Sequence, residues 1–152
     1  MAVKGSVLAL ENIDQVDTVK RFALGTRVHL GNDAYVYVQG VASGAAGSWV
    51  TFTDAGVTTL LAANAVGMVG ILMSALDATT DFGFAQIKGR NTIASTDTVA
   101  ANTVPYIDGT AGRVDDSAVA GDNVYNALIL SADSSNVATV FVDYPYVTNE
   151  SN

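Results

Sequence analysis

The residues that could carry out catalysis are few and scattered in this sequence. His29 is the single histidine, and the nearest carboxylate that can be named for it, Asp33, lies across a turn. A general base or a metal ligand needs partners within reach, so we expect a structural or surface histidine. The absence of cysteine excludes a thiolate nucleophile and a cysteine-ligated zinc. No serine lies in a Gly-x-Ser-x-Gly elbow, and we predict that the chain is not an enzyme and has no catalytic residue.

An acidic turn at residues 108–116 is the one stretch that could offer several oxygen ligands to a cation. Asp108, Asp115 and Asp116 carry the carboxylates, but the spacing is not that of an EF-hand, and Arg113 lies in the middle. Asp, Gly and Thr in this order are also typical of turns. We therefore predict turn chemistry here, with no metal and no cofactor.

Composition and charge limit the possible partners. The formal net charge is −8, and the seven basic residues are spread along the chain, which gives no footprint for a phosphate backbone. We expect no nucleic-acid partner. The uncharged run at residues 55–76 is long enough for a membrane span, but it contains Thr58 and Asn64 and is flanked by Asp54 and Asp77 rather than by basic residues. We expect two buried strands there and no membrane partner.

Strand patterns dominate the chain. Only Glu11 and Glu150 are glutamates among the 15 acidic residues, and the excess of aspartate, asparagine and glycine favours turns over helices. Residues 81–89 alternate large side chains with mostly small ones, as in a strand with one bulky and one close-packed face. The apolar run at residues 65–73 is its expected hairpin partner. Glycine inside such strands often marks the close approach of another backbone, and we predict structural roles for these glycines: Gly25, Gly67, Gly70, Gly83 and Gly89.

Two further hairpins are expected. The first joins residues 22–30 to residues 34–39 through Gly31-Asn32-Asp33, and the second joins residues 124–130 to residues 137–144. Tyr35 and Tyr37 share one face of their strand, which we expect to be an aromatic surface, while Val36 and Val38 face the core. Together these patterns predict an all-β fold, an antiparallel β-sandwich or β-barrel-like single domain.

The ends of the chain are less regular. Residues 1–18 are interpreted either as an N-terminal arm that lies on a neighbouring subunit or as the first strand and loop of the domain. Residues 19–148 form the β-rich domain, and residues 149–152 are expected to be a disordered tail.

Four segments carry a resemblance to known proteins: Leu24-Gly25-Thr26, residues 35–39, residues 66–70 and the aromatic-glycine strand at residues 82–89. In this order, in a short, cysteine-free chain rich in Gly, Ala and Thr, they resemble the capsid decoration (cement) proteins of tailed bacteriophages. The resemblance covers residues 24–89.

It implies a structural virion protein that is made in the host cytoplasm, is often a homotrimer, binds the outer surface of the major capsid protein lattice and stabilises the head. An alternative is a host-glycan recognition module, which Tyr35, Tyr37 and Trp49 suggest. Large apolar side chains are the predicted interface, namely Val7, Leu8, Leu10, Phe22, Tyr35, Tyr37, Trp49, Phe82 and Phe84.

Overall fold

Strands form the regular structure of the chain, as the sequence predicts. The structure is a computed structural model that describes residues 13–150; within them 46% of the chain is strand and there is no helix. The ten strands are β1 (Arg27–Leu30), β2 (Asp33–Gln39), β3 (Trp49–Phe52), β4 (Thr58–Leu60), β5 (Gly67–Leu72), β6 (Phe82–Ser95), β7 (Tyr106–Ile107), β8 (Val114–Asp115), β9 (Tyr125–Ile129) and β10 (Val137–Val147).

Eight of these strands belong to one antiparallel sheet. Its order is β1-β2-β6-β10-β5-β3-β4, with β9 paired to β10 and an additional pairing of β5 with β6. The short strands β7 and β8 pair with each other in a second sheet. The all-β prediction, a sandwich-like single domain, is confirmed.

The predicted hairpins form. Leu30 pairs with Asp33 at the end of the β1–β2 ladder, so Gly31 and Asn32 are the loop. Gly31 has φ +60°, which suits a tight two-residue hairpin loop. The closing hairpin joins β9 to β10, and β5 pairs antiparallel with β6 at Ile71↔Gln86.

The central strand β6 is longer than the sequence pattern indicates, because it continues past Gly89 to Ser95. Gly89 bends the strand with φ +110°. Gln86, 1% exposed, donates from Nε2 to the carbonyl oxygens of Lys88 (3.0 Å) and Arg90 (3.3 Å). Asn91, 2% exposed, donates from Nδ2 to Gln86 Oε1 at 2.9 Å. Buried carbonyl groups need such partners, so this amide pair stabilises the bend that lets the strand continue.

Strands β5, β6 and β10 each pair with the other two, and all three pairings are antiparallel. Three straight strands cannot each run opposite to both others, so at least one must bend. In β10, Val142 pairs with Ala127 and Tyr146 with Tyr125, so three residues of β10 face one residue of β9. Tyr144 lies in this bulge with φ +54°. Such an insertion bends the strand that carries it, and β10 thereby reaches β5 after leaving β6.

The expected aromatic surface is wrong, since Tyr35 and Tyr37 are 4% and 0% exposed. They form a buried cluster with Phe84, and Phe22 packs on it with its ring centroid 5.3 Å from that of Tyr37. The segment before β1 covers this face, because Ile13 also packs against the cluster. Both faces of β2 are therefore core, with Val36 and Val38 in a second cluster on the other side.

Asp17 attaches this covering segment to the sheet. Its backbone forms two hydrogen bonds with Phe82, both 2.8 Å. Its buried carboxylate accepts from Tyr37 Oη at 2.7 Å and from Arg21 Nε at 2.6 Å. Within the described part of the chain, residues 13–18 thus lie on their own domain. The rest of the predicted arm, including Val7, Leu8 and Leu10, lies outside the described residues, as do residues 151–152 of the predicted tail.

The glycines predicted to be structural allow close approaches within the chain. A Cβ at Gly83 would lie 2.9 Å from Leu76 Cδ2, and one at Gly70 would lie 3.1 Å from Ala85 Cβ. A Cβ at Gly89 would collide with the Asp33 carboxylate, and one at Gly25 with a backbone carbonyl. Gly67 differs, since the space around it is open. The approaching groups at the crowded positions all belong to the same chain.

Candidate functional site

The aromatic residues predicted as an interface lie mostly in the core. Trp49 and Phe84 are 0% exposed, and Trp49 donates from Nε1 to the carbonyl oxygen of Ser95 at 3.1 Å. Phe22 and Phe82 are half-buried against the aromatic cluster. Tyr35, Tyr37 and Trp49 therefore present no surface to a glycan or to another chain, and the residues that suggested the glycan alternative are part of the chain's own packing.

A pair of exposed apolar side chains lies instead on the outer face of β9 and β10. Phe141 is 43% exposed and pairs directly with Leu128, which is 39% exposed, on one side and with Arg90 of β6 on the other. Phe141 and Leu128 line an open depression of about 250 Å³ together with Asp143, the next outward position of β10. A sheet face in contact with water usually carries polar side chains. We call Leu128, Phe141 and Arg90 the outer face.

A separate cleft of about 200 Å³ opens at the bulge of β10. We call it the bend cleft. Its floor is apolar and buried, and its rim is formed by the exposed side chains Arg27, Tyr144 and Tyr146. The floor residues are Phe52, Val69, Ile87 and Pro145, with Met68 half-buried beside them.

Several polar groups meet at Tyr144, next to this cleft. His29 Nε2 lies 3.4 Å from Tyr144 Oη, and Lys88 Nζ lies 5.8 Å from the centre of the tyrosine ring. His29 is exposed on β1, as expected for a surface histidine. Three of the seven basic residues, Arg27, Lys88 and Arg90, thus border β10 in a chain of net charge −8. A left-handed backbone at a non-glycine residue such as Tyr144 is strained, and such strain is common at functional positions.

Carboxylates are concentrated in another part of the molecule, around β8. Burial raises the pKa of Asp115, and the nearby carboxylates of Asp108, Asp116 and Asp97 act in the same direction. A hydrogen bond from the Ser117 backbone N–H at 3.0 Å opposes them. The chain therefore has an acidic region that is distinct from its basic and aromatic one.

The acidic turn uses its carboxylates to cap backbone groups, as its composition predicts. Asp108 accepts from the Thr110 backbone N–H at 2.8 Å, and Asp116 accepts from that of Ala100 at 2.8 Å. Residues 13–150 contain no group of three or more His, Cys, Asp or Glu side chains arranged to hold a metal ion. The same residues include no helix long and apolar enough to cross a membrane.

Sequence reasoning did not single out Phe141, Leu128, Tyr144 or Tyr146. A signal was present, because Phe141 alternates with Val140 and Val142 and must lie on the face opposite to these valines. The valines are buried in the largest core cluster, so Phe141 points outward. The two tyrosines could not be placed in this way, since the bulge interrupts the alternation.

Comparisons of this chain with protein-family models, with curated proteins and with solved structures gave no significant match.

Proposed function

We propose that this chain is a structural virion protein, a capsid decoration protein that binds the outer surface of the major capsid protein lattice as a homotrimer and stabilises the head. It supplies no chemistry of its own and acts through surface contacts. The observation that carries this proposal is the outer face, where Phe141 and Leu128 are exposed on a sheet whose other face is core.

The size of this surface supports a role in a repeated lattice. A phenylalanine that buries about 200 Å² and is 43% exposed leaves roughly 90 Å² to cover, worth about 2 kcal/mol. Leu128 adds a similar amount. A total of about 4 kcal/mol corresponds to a dissociation constant near 1 mM. The loss of translational and rotational freedom on association weakens the binding further. One such contact is too weak to hold a partner, whereas several contacts from one oligomer on a regular lattice bind together with much higher avidity.

The charge distribution adds selectivity. Arg90 and the exposed Asp143 both lie beside Phe141, whereas the acidic cluster around Asp115 lies elsewhere, so the outer face offers a partner one charge of each sign. Complementary charge at the rim of an interface sets orientation and association rate more than affinity. We expect the acidic region to face away from the capsid.

The test is addition of the purified protein to expanded heads that lack it. Bound protein is measured by sedimentation and the melting temperature of the shell by calorimetry. We expect saturable binding and a higher shell melting temperature. Phe141→Ser should bind much more weakly while keeping the wild-type circular dichroism. Val66→Ser, which changes a 67% exposed valine outside the outer face, is the matched control and should bind like the wild type.

If the wild type does not bind, the proposed function is wrong. If Phe141→Ser binds as well as Val66→Ser, the assignment of the outer face is wrong. Native mass spectrometry of the isolated protein tests the trimer separately, and a purely monomeric protein would contradict that part of the proposal.

A further inference from the structure

We propose that the bend cleft of one copy of this chain binds residues 7–11 of a second copy, Val7-Leu8-Ala9-Leu10-Glu11. Leucine side chains occupy the apolar floor, and the Glu11 carboxylate pairs with Arg27 on the rim. This inference rests on the proposed self-association and not on capsid binding.

The cleft combines an apolar floor with a cation that lacks a carboxylate partner. Arg27 Nη2 lies 3.5 Å from Met68 Sδ, a weak acceptor. Among residues 13–150 the one ion pair joins Asp17 to Arg21, so no described carboxylate pairs with Arg27. An occupant that matches this cleft carries an aliphatic group next to a negative charge.

Residues 7–11 have this chemistry. Four apolar residues precede Glu11, one of only two glutamates in the chain. In an extended segment Leu8 and Leu10 lie on one side, while Glu11 points to the other side. With the leucines on the floor, Glu11 therefore points toward the mouth of the cleft, where Arg27 is exposed.

The size of the cleft, about 200 Å³, is compatible with an aliphatic side chain as occupant.

The position of Ile13 argues that the segment comes from another copy. Ile13 packs on the cluster of Tyr35, Tyr37 and Phe84. The cleft floor includes Ile87, which belongs to the cluster on the opposite face of β2 and β6. The described start of the N-terminal segment thus lies on the face of the sheet opposite to the cleft, and we therefore assign the docked residues to a second copy.

Cross-linking tests the contact directly, because the chain has no cysteine and only introduced thiols react. Leu10→Cys protein is mixed with isotope-labelled Met68→Cys protein and treated with a short bismaleimide. We expect a covalent dimer that contains one chain of each kind, at a yield about tenfold above that of the control pair because docking raises the local thiol concentration. The control pair is Leu10→Cys with Val119→Cys, whose changed residue is exposed and does not line the bend cleft. A yield equal to the control overturns the proposal.

A charge exchange provides a second test that leaves the core unchanged. Glu11→Arg and Arg27→Glu should each weaken self-association about tenfold through like-charge repulsion, and the double variant should restore it. Association is measured by analytical ultracentrifugation, and circular dichroism checks the fold. Unchanged association in both single variants overturns the proposal, and so does a double variant no better than either single one. Capsid binding is measured separately, so a protein that self-associates in this way but does not bind heads would contradict the proposed function alone.

Discussion

Four glycines allow backbone strain and crowding to be measured separately in this fold. Gly89 has φ +110°, and a Cβ there would also meet the Asp33 carboxylate. Gly67 has φ +132° but open space around it. A Cβ at Gly83 would be crowded, at a φ outside the left-handed region. Gly109 has neither constraint. We expect the alanine variant at Gly89, which has both constraints, to lose the most stability, and the variant at Gly109, which has neither, to lose the least.

The expected magnitudes follow from the same geometry. Gly109→Ala should change the free energy of unfolding by less than about 0.5 kcal/mol. Gly67→Ala should lower it by about 1–3 kcal/mol through the unfavourable φ alone. Gly83→Ala should lower it by about 1–2 kcal/mol, because Leu76 Cδ2 at 2.9 Å is the movable end of a side chain. Gly89→Ala combines both effects, and we expect a loss of about 4 kcal/mol.

Urea unfolding followed by circular dichroism measures these differences, and thermal unfolding provides a second readout. For a chain of this length, 1 kcal/mol corresponds to about 2–4 °C in melting temperature, so Gly89→Ala should melt roughly 8–16 °C lower than the wild type. Two results would refute the reasoning. One is a Gly89→Ala protein no less stable than Gly67→Ala, and the other is a Gly109→Ala protein as unstable as any of the other three.

Three other substitutions probe buried polar contacts. Tyr37→Phe should lower stability by about 2 kcal/mol near neutral pH by removing the hydroxyl that donates to Asp17. Burial raises the pKa of Tyr37 to about 12 from 10.0, so the protonated hydroxyl contributes its full stabilisation below pH 10. The difference in free energy of unfolding between the wild type and Tyr37→Phe should therefore shrink as the pH rises from 10 to 12. A difference that stays constant over this range would contradict the role of the hydroxyl. Asn91→Leu should lower stability by about 1–3 kcal/mol because Gln86 Oε1 loses its donor, whereas an unchanged unfolding midpoint would show that the amide pair does not hold the bend. Trp49→Phe should lower the melting temperature by several degrees, since the indole of the buried Trp49 no longer donates to the Ser95 carbonyl oxygen. Equal melting temperatures would count against a stabilising role of that hydrogen bond.

Local patterns predicted the strands and turns well, because alternation and turn composition act over a few residues. The hairpin loop at Gly31 and the strand at residues 82–89 follow directly from such patterns. The continuation of β6 beyond Gly89 could not be predicted from such patterns, because it depends on the hydrogen bond between Gln86 and Asn91 across the bend. That contact forms only in the folded chain and leaves no alternating pattern in the sequence.

The candidate site could not be predicted from aromatic content alone. Alternation in β2 shows that Tyr35 and Val36 face opposite sides, but it cannot show which side meets water. The segment that includes Ile13 and Phe22 covers the aromatic side, and this cover comes from outside the sheet. Phe141 stays exposed because no described segment covers its face.

The mutual pairing of β5, β6 and β10 also constrains how this protein can be synthesised. Most of β9, one edge of the second half of β6 and the first residues of β5 pair with β10, which is the last strand of the described residues. While a ribosome is still making residues 137–147, those strand edges are open and can pair with other nascent chains. We therefore expect a chain that ends before β10 to aggregate rather than to persist as a shorter domain.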